Sequence, residues 1–343
     1  MNVESGFRRA GDIEPGTLFK HGSNRIYHRK NMTQTSPAIE TTKLRKEYGG
    51  AVGRPAFTAV QDLSLSVPHG QVFGLLGPNG AGKTTTINML LGNIKPTSGQ
   101  AFLLGQPVGN QEVRAHLGFL PEKFQFHEFL SAEEFLDLHG RLYGMSKAAR
   151  KRRIPEVLEQ VGLIARRKSR LGEFSKGMQQ RVGLAQAILN DPDLVILDEP
   201  TSALDPLGRR EVRDIVAGLK AAGKTVLLNS HLLSEIEMSC DQVAILKAGR
   251  VIRQGKIDDL LAAPTIVKMR VQAQSAGLIT ALEKLSRTVE VQGEEIAVTI
   301  SEEGVIPELA AAVIGHGGRL FSLVPLRETL EDLFIRVVER DTP

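Results

Sequence analysis

What this chain has little of narrows the field first. It holds one cysteine, Cys240, in 343 residues. A single cysteine excludes an internal disulfide and fits a reducing cytosol. No stretch approaches the roughly 20 apolar residues that a membrane-spanning helix needs. A translocation path of such helices is therefore not expected from this chain alone. Aromatic residues make up only 5%, with three tyrosines and no tryptophan. The basic stretches lack the interleaved aromatics on which single-strand binders stack bases. The net charge is only +4, and residues 1–37 carry +3 of it, with six Lys/Arg against three Asp/Glu. The densest basic runs, 150–153 and 166–170, read as solvated helix faces, so no nucleic-acid partner is expected. The eight histidines and the cysteine show no metal-ligand spacing. What remains is an ordinary globular balance, 41% hydrophobic and 24% charged. The length leaves room for one full domain and a smaller one.

Five short motifs then appear in one order. They are GPNGAGKTT at 77–85, FSKGMQQR at 174–181, LVILDEP at 194–200, SALD at 202–205 and NSH at 229–231. The first comprises Gly77, Pro78, Asn79, Gly80, Ala81, Gly82, Lys83, Thr84 and Thr85. Its glycines let backbone N–H groups turn inward around a polyphosphate without Cβ clashes. QVFGLL at 71–76 reads as a buried strand before the loop, and Lys83 starts the helix after it. The helix N-terminus then points at the phosphates. Lys83 is expected to reach the β- and γ-phosphates, and the Thr84 hydroxyl to hold Mg²⁺.

LVILDEP reads as a buried parallel strand ending in two acids. Alone it would equally describe a strand that ends in a polar turn. With a phosphate loop in the same chain, it describes a site beyond the carboxyl end of a sheet. Asp198 there is expected to hold Mg²⁺ or its water, and Glu199 to act as general base on the attacking water. His231 follows the apolar strand 225–228 and can hydrogen-bond a γ-phosphate. The other seven histidines read as surface or satisfied core residues.

With these motifs the chain resembles the ATP-binding subunits of ATP-binding-cassette transporters, over about residues 39–261. The resemblance makes 77–85 the Walker A loop, 194–199 Walker B, 202–205 the D-loop and His231 the switch histidine. It implies that Tyr48 stacks on adenine; an exposed turn tyrosine before Gly49-Gly50 is the other reading. FSKGM resembles the family signature, with Ser175 and Gly177 retained, Lys176 in place of a glycine and Met178 in place of a glutamine. Lys176 either adds a cation near the phosphate or is simply solvated. The resemblance implies that Ser175, Lys176, Gly177 and Met178 complete the site of the opposite subunit. It thus implies a dimer, homomeric or with a second ATPase subunit, with two composite ATP sites and Asp205 in the D-loop. Glu122 stands where the family usually has a glutamine that touches Mg²⁺ and senses the membrane partner. FSKGM and LPE together resemble an export-type branch. The expected partner is a separate integral membrane permease, and the expected location is the cytoplasmic face of the plasma membrane. The alternative is a soluble cassette ATPase acting on ribosomes or nucleic acid. Such proteins usually carry tandem cassettes or long coiled-coil insertions, which this chain lacks. A plain kinase would have no use for the signature or D-loop.

The expected organisation has three parts. Residues 1–37 lack periodicity and read as a flexible tail, with an over-extended start before Met32 as the other reading. Residues 38–264 form the α/β ATP-binding domain of P-loop type, with a helical subdomain over about 122–180. In it Ser131 and Glu134 predict a capping box, and Phe135, Leu138 and Leu142 an apolar stripe. The aromatic-rich segment 119–129 reads either as core or as a docking surface for the permease. Residues 265–343 predict βαββαβ plus a final helix, a ferredoxin-like α+β sandwich. Its expected role is accessory, in dimer contacts or partner choice, or else passive stabilisation.

Overall fold

The computed structural model describes residues 36–49, 56–202, 204–262, 265–326 and 328–340. The expected tail lies almost wholly outside them. The chain divides into two compact units, one ending at Gly255 and one beginning at Lys256. This division precedes the sequence-derived boundary at 264, because the short helix after the last strand of the first unit groups with the second. Pro264 itself lies outside the described residues.

The first unit opens with β1 (Ile39–Tyr48), β2 (Phe57–Val67), β3 (Val72–Leu76) and α1 (Lys83–Leu90). There follow β4 (Ser98–Leu103), β5 (Gln106–Pro107), α2 (Gln111–Arg114) and β6 (Leu117–Leu120). Three helices come next: α3 (Ala132–Leu142), α4 (Lys147–Gln160) and α5 (Lys176–Ala187). The unit ends with β7 (Leu194–Asp198), α6 (Pro206–Ala221), β8 (Thr225–Asn229), α7 (Leu233–Ser239), β9 (Gln242–Lys247) and β10 (Arg250–Lys256).

These strands form two sheets, one ordered β2-β1-β4-β5 and one β10-β9-β3-β8-β7-β6. The pairs β9/β3, β3/β8, β8/β7 and β7/β6 are all parallel. Strands β3, β7 and β8 are buried at every position. That is why VFGLL, LVILD and TVLLN read as continuous rather than alternating apolar runs. β1 and β2 pair antiparallel and alternate over part of their length. One core joins Ile39, Leu44 and Leu63 of that sheet to Phe73, Leu75, Ile87 and Leu90.

The capping box at α3 forms. Ser131 Oγ accepts from the Glu134 N–H at 3.3 Å, and Glu134 Oε2 accepts from the Ser131 N–H at 2.9 Å. The expected apolar stripe of α3 is corrected. Its buried positions are Ala132, Phe135, Leu136 and Gly140, the i, i+3, i+4, i+8 face. Leu138 is 36% and Leu142 74% exposed. The aromatic segment divides: Phe124 and Phe126 cluster with Phe135 at centroid distances of 4.5–5.9 Å, while Phe129 is exposed.

The second unit contains α8 (Ile257–Leu260), β11 (Thr265–Gln272), α9 (Ala276–Leu285), β12 (Thr288–Gln292), β13 (Glu295–Ile300), α10 (Ile306–Gly315), β14 (Arg319–Leu326) and α11 (Leu330–Arg340). Its sheet is antiparallel throughout, ordered β12-β13-β11-β14. β11 alternates strictly: Val267, Met269 and Val271 are buried with Leu278, Leu282, Leu309 and Val313, while Ile266, Lys268 and Arg270 are exposed. On α11, Leu330, Leu333 and Val337 are buried, and Phe334 and Val338 are half-buried.

Candidate functional site

Strands β3, β8, β7 and β6 are neighbours and parallel, so their carboxyl ends share one edge of the sheet. Each delivers a chemically distinctive segment there. β3 runs into Gly77 and the phosphate loop. β8 ends at Asn229, before Ser230 and His231. β7 ends at Asp198, before Glu199. β6 leads through Pro121 to Glu122.

The phosphate loop is built by close approach. A Cβ on Gly77 would lie 2.5 Å from the Leu246 carbonyl oxygen, and one on Gly82 2.5 Å from that of Ala59. Gly82 also has a φ of 99°, which L side chains rarely adopt. Pro78 and Ala81 close a tight turn, the Ala81 N–H donating to the Pro78 carbonyl at 3.1 Å, while Asn79 and Gly80 are exposed between them. Lys83 Nζ donates to the carbonyls of Gly77 at 2.6 Å and Pro78 at 3.2 Å. The ammonium is thus folded back over the loop. Burial pulls it below the ordinary lysine range, while Glu199 and Asp198 oppose that shift. No side chain caps α1. The first N–H groups of the helix, with Lys83, the exposed Thr84 and the half-buried Thr85, form an end suited to an anion.

Asp198 and Asn229 stand side by side in register on β7 and β8. Asn229 Nδ2 donates to Asp198 Oδ1 at 2.5 Å. The Asp198 carboxyl is pushed up chiefly by burial; the Asn229 hydrogen bond and Lys83 oppose the shift, and the Glu122 charge adds to it. Glu199 sits at φ 55°, unusual for a residue with a side chain, and its N–H donates to the Asn229 carbonyl at 2.8 Å. That turn sends consecutive carboxylates to different partners. Glu199 Oε2 lies 2.7 Å from His231 Nδ1. Burial raises the Glu199 carboxyl, and the bond to His231 works against this. His231 itself is largely exposed.

Asn229 was not singled out as a site residue from the sequence. The signal was there: one polar residue closing an apolar strand, at the level of Asp198 on the next strand. The Asn229 Oδ1 and Thr201 Oγ1 atoms are buried without a hydrogen-bond partner.

The signature residues lie elsewhere in the unit. Ser175 is the N-cap of α5, its Oγ accepting from the Met178 N–H at 3.3 Å. Lys176 is exposed, and it forms no ion pair among the described residues. Gly177 faces Leu204: a Cβ there would meet the Leu204 side chain at 3.4 Å. The signature helix therefore starts against the D-loop. Asp205 caps α6, its Oδ1 accepting from the Gly208 N–H at 2.8 Å. Ala203, between Ser202 and Leu204, is not among the described residues. Tyr48 is on the other sheet, at the end of β1. It is 40% exposed, and Lys46 Nζ lies 5.2 Å from its ring centroid. Among the described residues no three His, Cys, Asp or Glu side chains cluster as a metal site, and no helix is long and apolar enough to cross a membrane.

Comparison with known proteins agrees with this geometry. A family model described as ABC transporter matches residues 60–202. The chain is 40% identical to an uncharacterized ABC transporter ATP-binding protein of Nostoc sp., over 90% of this chain and 92% of that one. It is 36% identical to the Nod factor export ATP-binding protein I of Cupriavidus pinatubonensis, over 88% and 91% respectively. A solved dimeric ATP-binding cassette in a post-hydrolysis state, bound to ADP and Pi, superposes with a TM-score of 0.58 at 26% identity, covering 64% of this chain and 98% of that one. A phosphate loop, paired acids at the end of β7 and relatives that span nearly the whole chain lead to one conclusion: this chain belongs to the ABC transporter family, as an ATP-binding and ATP-hydrolysing subunit.

Proposed function

We propose that the chain drives a separate integral membrane permease from the cytoplasmic face of the plasma membrane, as one of two ATPase subunits. The relative named for Nod factor export supports export as the direction. The observation that carries the reading is the common edge of β3, β8, β7 and β6. Lys83 and the α1 N-terminus are there to bind the phosphates. Asp198 and Glu199 are there, on the far side of Asn229, to serve the reaction. The nucleic-acid and ribosome alternative finds no such support.

Hydrolysis by this set is an attack of water on the γ-phosphorus, with cleavage of the bond to the bridging oxygen of ADP. Glu199 takes the proton of the attacking water. Its raised carboxyl makes it a stronger base than a solvated glutamate, and His231 orients it. His231 also has Nε2 for a γ-phosphate oxygen, where only the doubly protonated ring donates while Nδ1 holds Glu199. Tyr48 offers an exposed ring face for adenine.

Mg²⁺ commonly binds through one or two carboxylates plus substrate phosphates, keeping waters, rather than in an all-protein cage. Thr84, Asp198 and Glu122 are hard oxygen donors of that kind. Burial makes the Asp198 charge costly without a cation, which fits such an ion. Once bound, it would neutralise charge on the β- and γ-phosphates.

Ser175 uses its hydroxyl to cap its own helix, beside the D-loop. It forms no hydrogen bond to the phosphate loop among the described residues. This supports a site completed by Ser175, Lys176, Gly177 and Met178 of a second subunit, with the Asp205 loop at the interface. In the second unit, the strand order and the alternating helices support a ferredoxin-like fold. We assign it an accessory role in dimer contacts or partner choice.

The test is affinity purification of the tagged chain from detergent-extracted membranes. Recovery of a multi-helix permease in a fixed ratio is expected. Recovery of ribosomes or DNA without a permease would contradict the proposal.

A further inference from the structure

Residues 141–170 carry ten Lys/Arg and two Asp/Glu, a net of +8 in a chain whose total is +4. The rest of the chain is therefore net −4. Such asymmetry marks a surface for a polyanion or a membrane rather than general solubility. The structure decides which of these cations are committed. Arg150 is held by Asp137 at 2.6 Å and by the Met145 carbonyl, and Arg153 bonds Glu156 and the carbonyls of Ile188 and Leu189. Both are structural. Lys147, Lys151, Arg166, Lys168 and Arg170 are exposed, and among the described residues their side chains form no ion pair or hydrogen bond. Arg152 has only a 3.9 Å approach to Glu156.

The two runs belong to one helical subdomain. The Arg150–Asp137 pair ties the start of α4 to α3. At the other end of α3, the Arg167 carbonyl accepts from the Glu133 N–H at 2.9 Å. Exposed apolar side chains accompany the charges: Ile164, 37% exposed, lies two residues before Arg166, and Leu142 follows Arg141, which is itself paired with Asp137 at 2.6 Å. Within this stretch the one aromatic, Tyr143, is turned inward and bonded to Gln186, so the basic runs themselves lack the interleaved aromatics on which bases stack. Free cations flanked by aliphatic side chains match the interface of an anionic bilayer.

We propose that this basic surface of the helical subdomain binds the anionic phospholipid headgroups of the membrane in which the permease sits. The proposal rests on the membrane function argued above, and the following test separates the two. The full chain is sedimented with vesicles of phosphatidylcholine alone or mixed about equally with phosphatidylglycerol, at low and high salt. Binding is expected only to the mixed vesicles and is expected to weaken with salt. The variant Lys151→Glu/Arg152→Glu/Arg166→Glu/Lys168→Glu is expected to lose at least about tenfold in vesicle affinity, with ATPase activity in solution within about twofold of the parent. Should that variant misfold, Lys151→Gln/Arg152→Gln/Arg166→Gln/Lys168→Gln replaces it. No binding to mixed vesicles, or equal binding by parent and variant, overturns the proposal while leaving the ATPase reading intact. Tighter binding to single-stranded RNA or duplex DNA than to vesicles, lost in the variant, also overturns it.

Discussion

Asp198 and Glu199 are consecutive carboxylates and both buried, yet they answer to different partners. Asp198 ends a strand and bonds to Asn229; Glu199 turns at positive φ and bonds to His231. A sequence gives the pair and its spacing to the strand. It does not give the backbone turn that separates the roles, because a positive φ at glutamate has no residue-type signal. Lys83, Thr84, Asp198, Glu199 and His231 were all recognisable as candidates, since each is tied to a strand end by an apolar run. Asn229 was passed over although it closes an apolar strand, because its hydrogen bond runs across strands to Asp198. Replacing Glu199 with Gln removes the proposed base but keeps the shape, so turnover is expected to fall about 10²–10⁴-fold with ATP affinity retained. A rate assay beside equilibrium nucleotide binding checks both halves. Asp198→Asn carries a pH signature. The native carboxyl lies above its unfolded value, so the folded protein binds more protons in that window. Stability is then lost as pH rises through it. The variant without ATP is therefore expected to melt above the parent near neutral pH, with the advantage vanishing in acid, where both are uncharged. A variant that melts lower at every pH would show that the Asn229 contact outweighs burial.

At the scale of elements, the phosphate-binding end and the signature end use opposite devices. α1 has no side-chain cap, whereas α5 and α6 are capped by Ser175 and Asp205. Losing the Ser175 cap alone costs about 1 kcal/mol. Ser175→Ala is therefore expected to lower stability by about that amount in denaturant titrations, yet to reduce ATPase activity far more than so small a loss of folding explains. Equal, small losses in both would reduce Ser175 to a cap. The helical subdomain shows how periodicity misleads. Phe135, Leu138 and Leu142 fit one helical stripe, but burial follows Phe135, Leu136 and Gly140, because the Phe124–Phe126 cluster and α4 approach from that side. Phe135→Ala is expected to cost about 3–5 kcal/mol, and Leu142→Ala less than about 0.5 kcal/mol. The second unit was legible nearly strand by strand, as its β11 alternates cleanly and its turns carry Gly293 and Gly317 at positive φ.

For the whole molecule, every candidate site residue falls before Gly255, within the first unit. A chain ending at Gly255 is expected to keep ATPase activity within about twofold, measured at equal folded fraction, which separates the chemistry from the accessory unit. No described residue of one chain brings a signature serine to its own phosphate loop, and the relation between subunits cannot be read from one sequence without the family pattern. The central claim is therefore the composite two-site dimer. The measurement is size-exclusion chromatography of Glu199→Gln, with and without Mg²⁺-ATP, beside Glu199→Gln/Ser175→Arg. The single variant should elute as a dimer only with ATP, while the double variant binds ATP and stays monomeric. A single variant that remains monomeric with ATP bound, or a double variant that dimerises equally well, would contradict the composite site.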